Sequence, residues 1–265
     1  MLDALRSALN RRYLKVRQQY RHAQALWADG RTSDEHLPEP RFVLFGRGRS
    51  GTTALISMLD DVPALDCEGE VLHDWVPFPE RHVRGRCARS GGPGFGCKIL
   101  SYQIRDVQTS LARPERVLRI LHEEHGFRVL YLRRANLLRH ALSNIRARRE
   151  QFHQQKGEGG IQRRALHVDP DHVLDWIRSS EALMTYEERL LEEVPHLSMT
   201  YENHIREAAQ HQDTVDAVCL FLEIESAPVE SSYEKVAPPS LREGVANYDA
   251  LARRLRDTPY TSYLD

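Results

Sequence analysis

The sequence predicts an α/β fold in three layers, α/β/α, with helices on both faces of a mainly parallel central sheet. Short apolar segments rich in β-forming residues recur along the chain, and helical patterns separate them. The first of these segments runs directly into a glycine-rich turn, and a further helical pattern follows the turn. Alternation of strands and helices is typical of parallel sheets, because the chain must cross back over the sheet between strands.

The individual elements follow from the same patterns. The predicted strands are 41–45, 96–100, 128–132 and 197–200. The predicted helices are 54–59, 114–125, 136–155 and 169–194. Two glycine-rich stretches, 81–95 and 157–160, are predicted to be loops. We therefore expect a single α/β domain at 38–265.

An amphipathic helix at 2–28 and a short linker are predicted ahead of the domain, so that together they form an N-terminal segment at 1–37. Apolar residues recur there at spacings of three and four, on one helix face: Leu2, Leu5, Leu9, Tyr13, Val16, Tyr20, Ala23 and Trp27. We expect this face to pack against the domain or against a second subunit, and the second arrangement would make a homodimer.

The composition is that of a folded protein and excludes several classes of function. The chain has 265 residues, of which 41% are hydrophobic and 28% are charged. A net charge of −1 argues against a nucleic-acid-binding role. No apolar run approaches the roughly 20 residues of a membrane-spanning helix, and arginines interrupt the N-terminal pattern where a signal peptide needs a continuous apolar core. We therefore expect a cytoplasmic protein with free thiols and no integral membrane segment.

The glycine-rich turn at 46–53 predicts an anion-binding site. It reads Gly-Arg-Gly-Arg-Ser-Gly-Thr-Thr and lies between a predicted strand and a predicted helix. Glycines let the backbone approach a ligand closely, and the N–H groups at a helix start attract negative charge. Arg49 and the hydroxyls of Ser50, Thr52 and Thr53 add further donors.

The turn is P-loop-like, but two parts of a nucleoside-triphosphate site are missing. Gly46 and Gly51 have the spacing of a Walker A loop, whereas Thr52 stands where the phosphate-binding lysine belongs. The strand at 128–132 runs into Arg133 and Arg134, where a Walker B strand would end in a magnesium-binding aspartate. The sequence therefore favours an anionic ligand other than a metal-bound triphosphate, and no metal site is expected.

A second anion site is predicted where this strand meets the arginine-rich helix that follows. Arg134 lies at the carboxyl end of the strand, where open α/β sheets bind ligands, and Ser143 lies one to two turns into the helix. Arginine suits phosphate because its planar fork donates two hydrogen bonds at once. Arg133 is an alternative to Arg134 for this role. Two anion sites at the carboxyl ends of two strands favour a nucleotide phosphorylated at two positions.

Together, the two motifs resemble those of sulfotransferases that use 3′-phosphoadenosine-5′-phosphosulfate (PAPS), of the bacterial carbohydrate and lipopolysaccharide type. The resemblance begins near residue 41 and runs to the end of the chain. It implies that PAPS is the co-substrate and that the following residues bind it: Arg49, Ser50, Gly51, Thr52, Thr53, Arg134, Ser143, Tyr201 and Lys235. Tyr201 corresponds to the tyrosine of a Tyr-Glu motif that the family has at a strand end. Lys235 corresponds to a phosphate-binding basic residue in the C-terminal part of the family.

The resemblance also implies how the reaction would proceed. Arg49 would stabilise the charge that develops on the leaving 5′-phosphate, because a guanidinium keeps its proton. Glu70, in a Gly-Glu pair, would be the base that takes the proton of the acceptor, with Glu68 and His73 as alternatives. The acceptor would be a hydroxyl or amine on a small molecule or glycan, such as a carbohydrate or glycolipid. Lys98 is expected either to face the cleft or to be structural.

Two other functions stay open at this point. One is a nucleotide kinase or ATPase with a degenerate P-loop, against which the missing lysine and aspartate argue. The other is a protein of the same fold that binds a nucleotide without catalysis. The segments between Glu70 and Gly96 and around 152–168 are expected to shape the acceptor pocket.

Overall fold

The central sheet has five parallel strands. In the computed structural model of the protein, the described residues are 16, 19–109, 113–148, 165–229 and 240–264, with the backbone of 149 and 150. The strands are β1 (Arg41–Gly46), β2 (Leu65–Glu70), β3 (Gly94–Leu100), β4 (Arg128–Arg133) and β5 (His196–Thr200), in the order β2-β3-β1-β4-β5. The predicted α/β class with a parallel sheet is confirmed.

Helices pack on both faces of this sheet. They are α1 (19–29), α2 (Thr52–Asp60), α3 (Pro79–Cys87), α4 (Val117–Glu123), α5 (Leu137–Glu150), α6 (Pro170–Leu191), α7 (Tyr201–His204), α8 (His211–Leu222), α9 (Leu241–Gly244) and α10 (Tyr248–Arg256). A π-helical turn occupies Gln103–Val107. Alternate residues of β1 explain the layering, because Phe45 packs with Leu118 of α4 and Leu44 packs with Leu55 of α2. The arrangement is consistent with three layers.

The order of the strands changes direction in the middle of the sheet. β1 lies between β3 and β4, and its last residue, Gly46, is level with Leu100 and Leu132. A Cβ atom at Gly46 would lie 2.2 Å from the carbonyl oxygen of Leu132, so only glycine fits there. After β1 the chain forms β2 and β3 on one side of this strand, and it then crosses over to form β4 on the other side. This change of direction opens a crevice at the carboxyl ends of the strands.

Two elements differ from the prediction. Residues 79–87 form α3, although 81–95 was predicted to be a loop because of its arginines and glycines. The helix buries Val83 and Cys87, and its Gly85 admits the backbone of α1, since a Cβ atom there would lie 1.9 Å from the oxygen of Ala25. Strand β2 was not predicted because its sequence, Leu-Asp-Cys-Glu-Gly-Glu, is polar and lies at the edge of the sheet.

Helix α1 docks through the face opposite to the predicted one. Its Asp29 pairs with Arg81 and Arg84 of α3. The apolar stripe points away from the domain instead, and Val16, Tyr20 and Trp27 are 61%, 63% and 66% exposed. The rest of the predicted helix, at 1–15, lies outside the described residues, as do 151–164 with the predicted loop at 157–160. None of the helices in the described residues is both long and apolar enough to span a bilayer.

Candidate functional site

The turn at 46–53, called the glycine turn below, is held in a conformation that few sequences adopt. Arg49 and Gly51 have φ angles of 65° and 87°. Gly51 is the N-cap of α2, and a Cβ atom there would lie 2.9 Å from both Ile205 and Tyr201. Glycine is therefore required at 51, for its conformation and for the space. The turn brings the free N–H groups of the α2 N-terminus to the edge of the sheet.

Two buried side chains hold the start of the turn. His140 of α5 donates a hydrogen bond from Nε2 to the carbonyl oxygen of Gly48, at 2.8 Å. Arg47 points to the other side, where its Nη1 donates to the carbonyl oxygen of Ser180 in α6, at 3.1 Å. Because a carbonyl only accepts, the His140 ring must carry its proton on Nε2. The start of the turn is thus fixed by α5 and α6, the two helices that connect β4 to β5.

Arg47 also belongs to a buried ion pair. Its Nε lies 3.2 Å from the carboxylate of Glu187, and both side chains are almost fully buried. Glu187 accepts two more hydrogen bonds, from the Ser101 hydroxyl at 2.6 Å and the Tyr131 hydroxyl at 2.7 Å. Burial raises the pKa of Glu187, while Arg47 and the two hydroxyls oppose that effect. Nothing in the spacing of these residues along the chain indicates that they meet.

Arg134 lies against the glycine turn. Its Nη1 donates to the carbonyl oxygen of Arg49 at 3.4 Å, and its guanidinium lies 4.5 Å from the centre of the Tyr201 ring. The residue is only 5% exposed, and its Nε has no hydrogen-bond partner among the described residues. The carboxylate of Glu202 is 3.8 Å from that nitrogen. Of the two arginines considered at this strand end, Arg134 is the one in contact with the turn.

Ser143 and Arg49 meet in the same cluster. Arg49 Nε donates to the Ser143 hydroxyl at 3.4 Å, a long contact that an anion between the two side chains would break. Burial lowers the pKa of both Arg49 and Arg134, yet guanidinium groups stay charged in proteins. The structure thus brings Arg49, Arg134, Ser143 and Tyr201 together. Lys235 lies outside the described residues.

A second charged group joins the far side of the turn to Glu70. Lys98 is buried on β3, and its Nζ donates to the Thr53 hydroxyl at 3.0 Å. The same nitrogen lies 3.3 Å from one oxygen of Glu70, and Gln103 donates to the other oxygen at 2.7 Å. Lys98 therefore faces the turn rather than serving only the core. In the sequence, the position of Lys98 on a predicted strand was the only indication that it would face the cleft.

The two alternative bases are engaged elsewhere. Glu68 forms an ion pair with Arg86 of α3 at 2.6 Å. His73 is more than half exposed and lies 2.9 Å from the carboxylate of Asp74. Of the three residues considered, Glu70 is the one whose partners touch the glycine turn.

The cluster has unsatisfied donors of the kind that an anion would use. The Ser50 hydroxyl is fully buried and has no hydrogen-bond partner within the described part of the chain, and the same holds for Nε of Arg134. Such groups are uncommon in folded proteins, because leaving one unpaired costs about 1–3 kcal/mol. An oxyanion seated on the turn would satisfy both. Within the described ranges, no group of three or more His, Cys, Asp or Glu residues could hold a metal ion.

Comparisons with known proteins add no relative to this description. No family model matches the chain, and no curated protein matches it significantly.

Proposed function

We propose that this chain is a P-loop-like sulfotransferase, which moves the sulfonyl group of PAPS to a hydroxyl or amine of an acceptor and releases 3′-phosphoadenosine-5′-phosphate (PAP). The resemblance of the two motifs suggests the donor, and it suggests a carbohydrate or glycolipid as the acceptor. The cluster of cations and free donors at the carboxyl edge of a parallel sheet supports an anionic ligand.

One observation carries this proposal: the guanidinium of Arg134 touches the backbone of Arg49. The first residue comes from the motif for the 3′-phosphate and the second from the motif for the 5′-phosphosulfate, and 3.4 Å separates the two groups. A single nucleotide can therefore reach both motifs. Had Arg134 pointed to another side of the sheet, one ligand could not have used both, and the motifs would have been coincidental.

The leaving group would be stabilised by the glycine turn. As the bond from sulfur to the bridging oxygen of the 5′-phosphate breaks, negative charge develops on that oxygen. Arg49, the Ser50 hydroxyl and the first N–H groups of α2 are fixed donors on that side. Lys98, which already reaches Thr53, adds a second positive charge. Fixed donors of this kind are worth roughly 3–4 kcal/mol each at comparable oxyanion sites.

Glu70 would take the proton of the acceptor. The acceptor oxygen forms its bond to sulfur while its proton moves to the carboxylate, so that charge does not build up on the nucleophile. Gln103 and Lys98 hold one Glu70 oxygen each, which fixes the carboxylate near the turn. Its remaining lone pairs are available for the acceptor.

Calorimetry with PAP and with ATP tests the nucleotide. A sulfotransferase should bind PAP without added magnesium and should bind it better than AMP, which lacks the 3′-phosphate. A kinase or ATPase should instead bind ATP in a magnesium-dependent way and ignore the 3′-phosphate. Absence of PAP binding would refute the proposal.

Transfer of label tests catalysis. Incubation with ³⁵S-labelled PAPS and a panel of sugars, glycolipids and phenols should give a labelled product. PAP binding without any labelled product would favour the non-catalytic alternative.

A further inference from the structure

A cavity of about 510 Å³ opens directly beside the glycine turn. It lies between the π-helical turn, α5 and α6, and Gly48 forms part of its wall. Its size is in the range that holds a small organic ligand. The cavity does not coincide with the segment at 71–95, which was expected to shape the acceptor pocket, and part of the second expected segment lies outside the described residues.

Three residues that line this cavity each have a buried polar atom with no hydrogen-bond partner among the described residues. These atoms are Nη2 of Arg47, Nδ1 of His140 and Oγ of Ser180, and each of the three residues is 2% exposed. The residues are neighbours, because Arg47 bonds the backbone of Ser180 and His140 bonds the backbone of Gly48. Three orphaned groups in one place indicate a ligand that supplies their partners.

The chemistry of these atoms selects the ligand. Arg47 Nη2 offers a donor, His140 Nδ1 offers an acceptor, and the Ser180 hydroxyl can do either. Burial lowers the pKa of His140 to about 3, so the ring stays neutral and Nδ1 keeps its lone pair. A hydroxyl group accepts from the arginine and donates to the imidazole, whereas a carboxylate or sulfate has no proton to donate. Since Glu187 already balances the charge of Arg47, the site does not call for a second anion.

The rest of the wall suits a sugar ring better than an apolar ring system. Trp176 is half-buried and offers an aromatic surface, and the guanidinium of Arg148 lies 5.6 Å from the centre of its ring. Around it lie the polar side chains of Asn144 and Ser179 and charged side chains of both signs, among them Arg105, Asp106 and Asp175. An aromatic platform with several hydrogen-bonding groups around it matches a molecule with one apolar face and many hydroxyls.

The cavity also leads toward the proposed base. Tyr102 lines it, and burial together with the nearby Glu70 carboxylate raises the pKa of the Tyr102 hydroxyl. The next residue, Gln103, donates directly to Glu70. A ligand in the cavity would therefore have Gly48 of the glycine turn on one side and the surroundings of Glu70 on another.

We propose that this cavity is the acceptor site, and that Arg47, His140 and Ser180 together bind one hydroxyl of a neutral saccharide unit, a hydroxyl that is not itself sulfated. This inference rests on the proposed function. It assigns the choice of acceptor to residues on α5, on α6 and at the start of the turn. None of the three residues is among those that the family resemblance assigns to PAPS binding.

Binding titrations with Ser180→Ala test the assignment. PAP-saturated protein is titrated with neutral disaccharides (maltose, lactose and mannobiose), with glucuronate and with 2-naphthol. We expect at least one neutral disaccharide to bind best, and Ser180→Ala to weaken it about fivefold to tenfold, the effect of one hydrogen bond. Thr185→Ala, an exposed change on the same helix, should leave the affinity unchanged. Because the Ser180 hydroxyl has no hydrogen-bond partner within the described ranges, its loss should not lower the melting temperature.

The outcomes separate this inference from the proposed function. If the wild type binds PAP but none of the disaccharides, or prefers glucuronate or 2-naphthol, the acceptor assignment is wrong while the nucleotide assignment stands. Equal disaccharide affinity in Ser180→Ala and the wild type would likewise overturn it. If PAP itself fails to bind, it is the proposed function that fails.

Discussion

Replacing Arg134 with alanine should remove the preference of the protein for a 3′-phosphate. The side chain is 5% exposed, and Tyr201 and the carbonyl oxygen of Arg49 hold its guanidinium. Its Nε has no hydrogen-bond partner among the described residues, and the Glu202 carboxylate lies 3.8 Å from it. Hydrogen bonds to charged groups contribute about 1.5–3 kcal/mol. Since 1.4 kcal/mol is tenfold, the ratio of the AMP and PAP dissociation constants should fall roughly 10- to 150-fold in the variant.

The assay is a thermodynamic cycle measured by calorimetry, with AMP measured by competition against PAP. Two proteins and two ligands give four affinities, and their double difference isolates the contact between residue 134 and the 3′-phosphate. Arg133→Ala is the matched control, because it removes the neighbouring charge at the same strand end. Circular dichroism and thermal unfolding establish that each variant is folded.

Two results would refute the reasoning. If Arg134→Ala weakens PAP and AMP by the same factor, the residue supports the turn or the common part of the nucleotide and does not read the 3′-phosphate. If the selective loss appears in Arg133→Ala instead, the 3′-phosphate binds to the other arginine, and the contact between Arg134 and Arg49 is structural.

Three further predictions concern the base, the turn and the buried imidazole. Glu70→Gln should lower the rate of sulfonyl transfer by about 10²- to 10⁴-fold with PAP affinity unchanged, and a normal rate would place the base elsewhere. Gly51→Ala should lower the free energy of unfolding by about 2 kcal/mol and the melting temperature by roughly 4–8 °C, because φ is 87° and the new Cβ has no room. The control Gly91→Ala, where the new Cβ would lie in open space, should change both quantities little. Burial lowers the pKa of His140 from 6.5 to about 3, so its neutral form stabilises the fold above pH 6.5, and that contribution is lost as the pH falls toward 3. Between pH 7 and pH 5 the free energy of unfolding, measured with urea, should therefore fall by about 2 kcal/mol more in the wild type than in His140→Gln. Equal decreases in the two proteins would contradict this origin.

The sequence predicted the sheet well where its strands are buried. The segments that became β1, β3 and β4 are largely apolar, with Lys98 the polar exception inside β3, because strands covered on both faces are mostly built of apolar residues. Strand β2 lies at an edge and is polar, so its pairing with β3 depends on tertiary contacts that no local pattern reveals. The helix α3 was missed for a related reason, since its glycine is there to admit α1 and not to break the helix.

The candidate site divides in the same way. The glycine turn and the arginine after β4 were predictable, because their residues are contiguous and each follows a strand. His140, Ser180 and Glu187 were not, since their roles arise from contacts of α5 and α6 with residues 92 to 140 positions away. Packing of the apolar stripe of α1 against the domain was wrong for a similar reason, because ion pairs to α3 orient this helix and leave the stripe exposed. Packing of the stripe against a second subunit stays a prediction.

Glu187 has a consequence for how the protein could diversify. Its carboxylate fastens α6 to the glycine turn through Arg47, to the segment after β3 through Ser101 and to β4 through Tyr131. Removing one partner of such a buried pair leaves the other charge buried without compensation and lowers the stability by about 3–5 kcal/mol. Arg47 and Glu187 can therefore change only together. The cavity-facing residues of the same helix carry no such constraint. Natural variation or design could therefore change those positions while the helix keeps its place against the glycine turn.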